Sequence, residues 1–180
     1  MRMALELRVI GMGNILFRDE GVGVYAAHAL SRCFCFDPEI VIEDGGLAGF
    51  NIMHMIFDPA SVVVLDALAT DAPAGTIFRL DSSILSDLGP SMQPTAHEVD
   101  PVHVFKLAAG LGQPIDMVFI GIVPKDASDF SLGLTPELTD AFAGFVKTAA
   151  DEIRSKGFTV TQIKEILVDE IIESLAVAPH

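Results

Sequence analysis

Four groups of chemistry-bearing residues punctuate the chain, most of them directly after an apolar run. The turn Gly11-Met12-Gly13-Asn14 leads to Asp19 and Glu20; Asp44-Gly45-Gly46 follows EIVIE; Asp66 follows SVVVL; and His97 stands beside Glu98 and Asp100. Imidazole with two carboxylates suits a divalent transition metal such as nickel or zinc, whereas magnesium usually does without the histidine. The cluster therefore points to a metal site.

Each residue also has a plainer explanation. Glu20 falls in the first turn of an expected helix, where the backbone dipole favours negative charge. Asp66 is harder to explain that way, because a carboxylate at the end of so hydrophobic a strand is costly to bury without a partner or ligand. His97 and His103 both flank the same helix start, and the residues alone separate them poorly. His28, within the first helix, reads as a surface or boundary residue. The GMGN turn invites a dinucleotide reading, but position 16, where a third glycine belongs, is Leu16, and Asp19 and Glu20 would repel a pyrophosphate.

These groups are positioned by alternating strands and helices. Leu7–Gly11 is predicted as a first strand, followed by a helix from about Asp19 to Cys33. Glu39–Glu43 is a second strand and Gly49–Phe57 a short helix. Ser61–Leu65, with the unbroken apolar run Val62–Leu65, reads as a central strand buried on both faces and closing at Asp66. Thr76–Leu80 follows too closely for a helical crossover and is expected to run antiparallel. Asp100-Pro101 starts a helix to about Leu111, Met117–Ile122 is a fifth strand, and Thr135-Pro136 starts a long helix that Gly157 terminates. Ile163, Leu167, Ile171 and Leu175 recur every fourth residue and predict an amphipathic helix over 161–176, whose apolar stripe either docks on the body or meets a partner. The expected fold is α/β: one domain over 1–180, a three-layer α/β/α sandwich on a mostly parallel, mixed sheet of about five strands, the fourth antiparallel. Ligands of such sheets gather beyond the carboxyl ends of the strands.

Composition narrows the function. The 180 residues are 51% hydrophobic and 20% charged, a globular balance. Eleven basic against 25 acidic residues give a net charge of -14, which excludes nucleic acid and anionic membrane surfaces as partners. The short apolar run near the start is interrupted by Glu6 and Arg8, so it reads as a strand and the expected location is cytoplasmic. Cys33 and Cys35 are too close for an ordinary disulfide and unlike zinc spacings, and read as reduced thiols. No serine or cysteine nucleophile motif with a basic partner is visible.

Several ordered motifs together resemble the hydrogenase maturation endopeptidases: GMGNILFRDEGVGV at 11–24, EDGGLAGF at 43–50, VVVLDAL at 62–68, AHEVD at 96–100 and FIGIVPKD at 119–126. The resemblance spans nearly the whole chain. It implies that Glu20, Asp66 and His97 are the metal-contacting residues, selecting His97 over His103, and that Asp44 takes part in substrate processing; Asp66, by its place at the end of the apolar strand, is also a candidate catalytic carboxylate. It implies an endopeptidase, active as a monomer, that recognises nickel already loaded into the nickel-iron hydrogenase large-subunit precursor and removes its C-terminal extension. The acidic segment after Gly157 is longer than the common family pattern. Two rival readings are a non-cleaving, nickel-sensing assembly chaperone of the same fold and a Rossmann-like nucleotide-binding enzyme.

Overall fold

The computed structural model describes residues 6–46, 61–87, 93–94, 101–110, 112 and 115–176. Strand β1 (Leu7–Met12) runs into a 3-10 turn (Arg18–Gly21) and helix α1 (Val22–Cys33), followed by β2 (Phe34–Asp37) and β3 (Val41–Gly46). Next come β4 (Ser61–Ala69), β5 (Ile77–Asp81), α2 (Ser82–Asp87), β6 (Gln93–Pro94) and α3 (Pro101–Gly110). The chain continues through β7 (Asp116–Ile122), α4 (Pro136–Ser155), β8 (Thr159–Gln162) and α5 (Val168–Ala176).

The main sheet has the order β3-β1-β4-β7-β5, with β6 pairing on the extended end of β4. The first four strands are mutually parallel and β5 is antiparallel to β7, as its short connection to β4 required. Residues 61–68 of β4 are all buried, which explains the uninterrupted apolar run: this strand has a packed layer on both faces. On one face, Val9, Val63 and Leu65 pack with α1, α4 and α5 through Tyr25, Leu30, Phe142, Phe145 and Ile171. On the other, Ile10, Val62, Val64 and Phe119 pack against Leu85 of α2 and Phe105 of α3. The result is the α/β/α sandwich that the sequence pattern predicts.

Several elements differ from expectation. The helix predicted from Asp19 begins as a 3-10 turn and becomes α-helical only at Val22. Strand β4 does not close at Asp66 but continues to Ala69, because Asp66 and Ala67 still pair with Gly121 and Ile122, and Leu68 and Ala69 with β6. The helix expected over 161–176 covers only Val168–Ala176. Thr161 and Gln162 belong instead to β8, which pairs antiparallel with β2, a strand not foreseen. A β-branched TVTQ segment opposite FCFD offers a ladder that outweighs an isolated helical turn. Ile163 and Leu167 are consequently exposed, while Val168 and Ile171 carry the docking of α5 on the body. The helix expected at Gly49–Phe57 lies outside the described residues.

Candidate active site

The site is assembled at the carboxyl edge of the sheet, around the end of β1. Gly11 pairs with Asp44 on one side and Leu65 on the other, so Asp44 and Asp66 flank the same strand end. Between Gly11 and Met12 the register with β3 jumps from Asp44 to Gly46, and Gly45 is the extra residue of a bulge. Such a bulge ends regular pairing and re-aims the neighbouring side chain, which accounts for the paired glycines after Asp44.

The glycine turn after β1 has a steric purpose. Gly13 has φ +128°, and a Cβ placed on it would sit 1.8 Å from the backbone oxygen of Glu20. At Gly23, a Cβ would lie 2.2 Å from the Leu65 oxygen and 2.4 Å from the Met12 oxygen. These glycines let the 3-10 turn and the first turn of α1 seat directly on β1 and β4. The GMGN turn thus serves close packing of Glu20's own backbone. Arg18, at φ +49°, is the only non-glycine with positive φ among the described residues. Its N–H donates to the Ser131 oxygen at 2.9 Å, and its guanidinium reaches Asp129 at 3.1 Å and Asp126 at 3.6 Å. These contacts hold the left-handed turn that delivers Asp19 and Glu20 to the edge.

Asp19, half of the acidic pair, is not a ligand candidate. It is fully buried, and its carboxylate accepts the N–H groups of Lys125 and Asp126 together with the N–H and hydroxyl of Thr135. The sequence offered Thr135 only as a helix start, and gave no sign that its side chain turns away from the helix to Asp19. Tyr25 ties a second point of the same region: its hydroxyl accepts the Gly133 N–H at 3.2 Å. Burial pushes the Tyr25 hydroxyl above its ordinary pKa, against the opposing pull of that N–H.

Glu20 is half-buried on the 3-10 turn, which packs against β4. Asp66 of β4 is fully buried, and its Oδ1 accepts the Ala67 N–H at 2.7 Å. By alternation along the strand, Asp66 shares its face with Val62, Val64 and Leu68, the side covered by α2 and α3. The structure thus brings Glu20 and Asp66 to adjoining elements. His97, with Glu98 and Asp100, lies outside the described residues, and among the described residues no group of three histidine, cysteine or acidic side chains is arranged to hold a metal ion. His103 is exposed on α3.

Asp44 belongs to the opposite face. Its Oδ2 lies 3.1 Å from Nε2 of His28 on α1, a contact the sequence reading missed because a lone helical histidine carries no signal of its partner. Asp44 also walls a cavity of about 360 Å³ with Gly13, Asn14, Ile15, Leu16, Val24 and Gly46. The lining is mostly apolar with one carboxylate, a surface suited to a peptide side chain beside a group able to accept a proton. The cysteines lie elsewhere. Helix α1, roughly 18 Å long by its rise per residue, carries the chain back to the opposite edge, where Cys33 is buried and Cys35 exposed, both as free thiols. Burial raises the Cys33 thiol pKa, against the pull of Lys164 and Arg32.

A sequence model described as hydrogenase maturation protease matches residues 24–152, well over half of the chain. The chain belongs to the hydrogenase maturation protease family. It is 28% identical over 170 residues to the hydrogenase expression/formation protein HupD of Thiocapsa roseopersicina, covering 94% of this chain and 77% of that protein. It is 23% identical over 156 residues to the hydrogenase 2 maturation protease of Escherichia coli K12, covering 85% of this chain and 93% of the relative. The fold is likewise similar to the hydrogenase maturating endopeptidase HybD from E. coli, with a TM-score of 0.73, 22% identity, and coverage of 88% of this chain and 98% of that one. As a hydrogenase maturation protease, the chain is a peptide-bond hydrolase. No helix among its described residues is long and apolar enough to cross a membrane.

Proposed function

We propose that this protease removes the C-terminal extension of a nickel-iron hydrogenase large-subunit precursor after nickel insertion, acting as a cytoplasmic monomer. The observation that carries the reading is the seating of the Glu20 turn on β4, the strand in which Asp66 is buried. Two carboxylates on adjoining elements at the ligand-binding edge suit a cation carried in by the substrate.

In this reading nickel is part of the substrate, held by precursor cysteines, and Glu20, Asp66 and His97 complete its coordination. His97 enters on the AHEVD motif. The ligands hold the scissile bond in place, and positioning is their first contribution. Asp66 and Asp44 stand on opposite faces, about two strand spacings or roughly 10 Å apart, so the substrate crosses the end of β1 from the metal side to the Asp44 side. There Asp44, on the wall of its cavity, accepts the proton of the attacking water, a carboxylate-based hydrolysis.

The test is to incubate nickel-loaded and nickel-free precursor with the purified protein and weigh the products. Loss of the extension from the loaded precursor alone is expected. An unchanged mass with a stable complex would instead identify a non-cleaving, nickel-sensing chaperone.

A further inference from the structure

We propose that His28 is a positioning residue for Asp44, fixing which carboxylate oxygen faces the substrate. The inference rests on the role given to Asp44 above.

An ionised carboxylate only accepts hydrogen bonds, so in the 3.1 Å contact Nε2 of His28 is the donor and Oδ2 of Asp44 the acceptor. The Asp44 side chain is 44% exposed and His28 26%, so the ring is the more anchored partner. A pair this open adds little to folding stability. Its consequence is orientation: a side chain at the end of a strand otherwise has several staggered rotamers available. The lining of two cavities shows which way it is turned. One, of about 70 Å³, is lined by Ala27, His28, Ser31, Ile42 and Asp44, while the larger is lined by Val24, Asp44 and Gly46 among others. Asp44 is the wall between them. Oδ2 is held on the His28 side, and Oδ1 lies toward Gly46, 3.5 Å from where a Cβ on that residue would be. Val24 and His28, four residues apart on α1, present one helix face to both cavities. The helix that seats the Glu20 turn on the sheet therefore also sets the carboxylate on its other side.

The experiment measures processing of nickel-loaded precursor over a range of precursor concentrations. His28→Leu removes the donor, whereas His28→Gln places an amide N–H near the Nε2 position. His28→Leu is expected to lower kcat by about tenfold or more with KM within about twofold, as misplacement of a reacting group does, and with thermal unfolding unmoved. His28→Gln should restore most of the lost rate. In an Asp44→Asn background His28→Leu should have no further effect, and the Nε2–H resonance of His28 in the free protein should shift on Asp44→Asn. A wild-type kcat for His28→Leu, a loss that persists in the Asp44→Asn background, or an unmoved His28 resonance would each overturn the pairing while leaving Asp44 as proton acceptor. A wild-type rate for Asp44→Asn alone would instead overturn that role of Asp44, and the inference with it.

Discussion

Thr135 gives both of its hydrogen-bond donors to Asp19: its N–H reaches Oδ1 at 2.7 Å and its hydroxyl reaches Oδ2 at 2.8 Å. Oδ2 also accepts the N–H groups of Lys125 and Asp126, each at 2.9 Å. The buried carboxylate fastens the 3-10 turn to the loop after β7 and to the start of α4. Asp19→Asn would turn an amide NH2 toward one set of these donors, leaving buried polar groups opposed. A loss of about 2–4 kcal/mol is expected from unsatisfied charge-assisted hydrogen bonds, to be measured by urea denaturation. An unchanged midpoint would mean that the loop is held by other contacts.

Gly13 governs the same turn from the other side. Its φ of +128° and the 1.8 Å approach to the Glu20 oxygen leave a side chain nowhere to go, since the obstacle is backbone. Gly13→Ala is expected to cost about 3 kcal/mol, a Tm decrease of roughly 6–12 °C for a chain of this size. It should also lower processing by displacing Glu20. Scanning calorimetry alongside the cleavage assay would expose the idea as mistaken if the variant melted and cut like the parent.

Acid should weaken the fold through three aspartates whose pKa values lie below the ordinary carboxylate range. In Asp126 the Ser128 N–H and hydroxyl and the Asp129 N–H favour the charged form, and in Asp81 the Ser83 hydroxyl and Ile84 N–H do so. In Asp116 burial acts upward but is outweighed by the Lys156 ammonium at 2.8 Å and the Ser61 hydroxyl at 2.7 Å. A depressed folded pKa contributes stability that is present above the unfolded value and lost as pH falls through the folded one. Tm should thus be insensitive to these groups above about pH 5 and fall below about pH 4. Asp116→Asn should show a shallower acid decline in a Tm series from pH 6 to 3, and an identical slope would remove Asp116 from the explanation.

The elements legible in the sequence were those whose pattern is set by burial. SVVVL demanded a doubly covered strand, and the stripe of Leu138, Phe142, Phe145 and Ala149 demanded a helix, now seen to be buried along that stripe. The pairing of β2 with β8 was hidden because each strand has four residues and the partners stand more than 120 positions apart, so neither segment carries the evidence of its ladder. In the site, Asp66 was recognisable because a charge beside a buried run is costly, and its burial follows from β4 being central. Residue type and position alone do not separate the adjacent acids Asp19 and Glu20; only the motif resemblance selects Glu20. Which of them is consumed by backbone donors depends on the loop after β7, over 100 residues away. His28 was invisible for the same reason, its partner being supplied by a different strand.

Replacing Asp66 by Asn reaches the centre of this account most directly. Asn keeps the volume and can still accept the Ala67 N–H, but it lacks the charge that the proposal assigns to gripping nickel on the precursor. Mass spectrometry of nickel-loaded precursor after incubation with a folded Asp66→Asn protein should find the extension still attached. A precursor trimmed at the normal rate would contradict the assignment of the site.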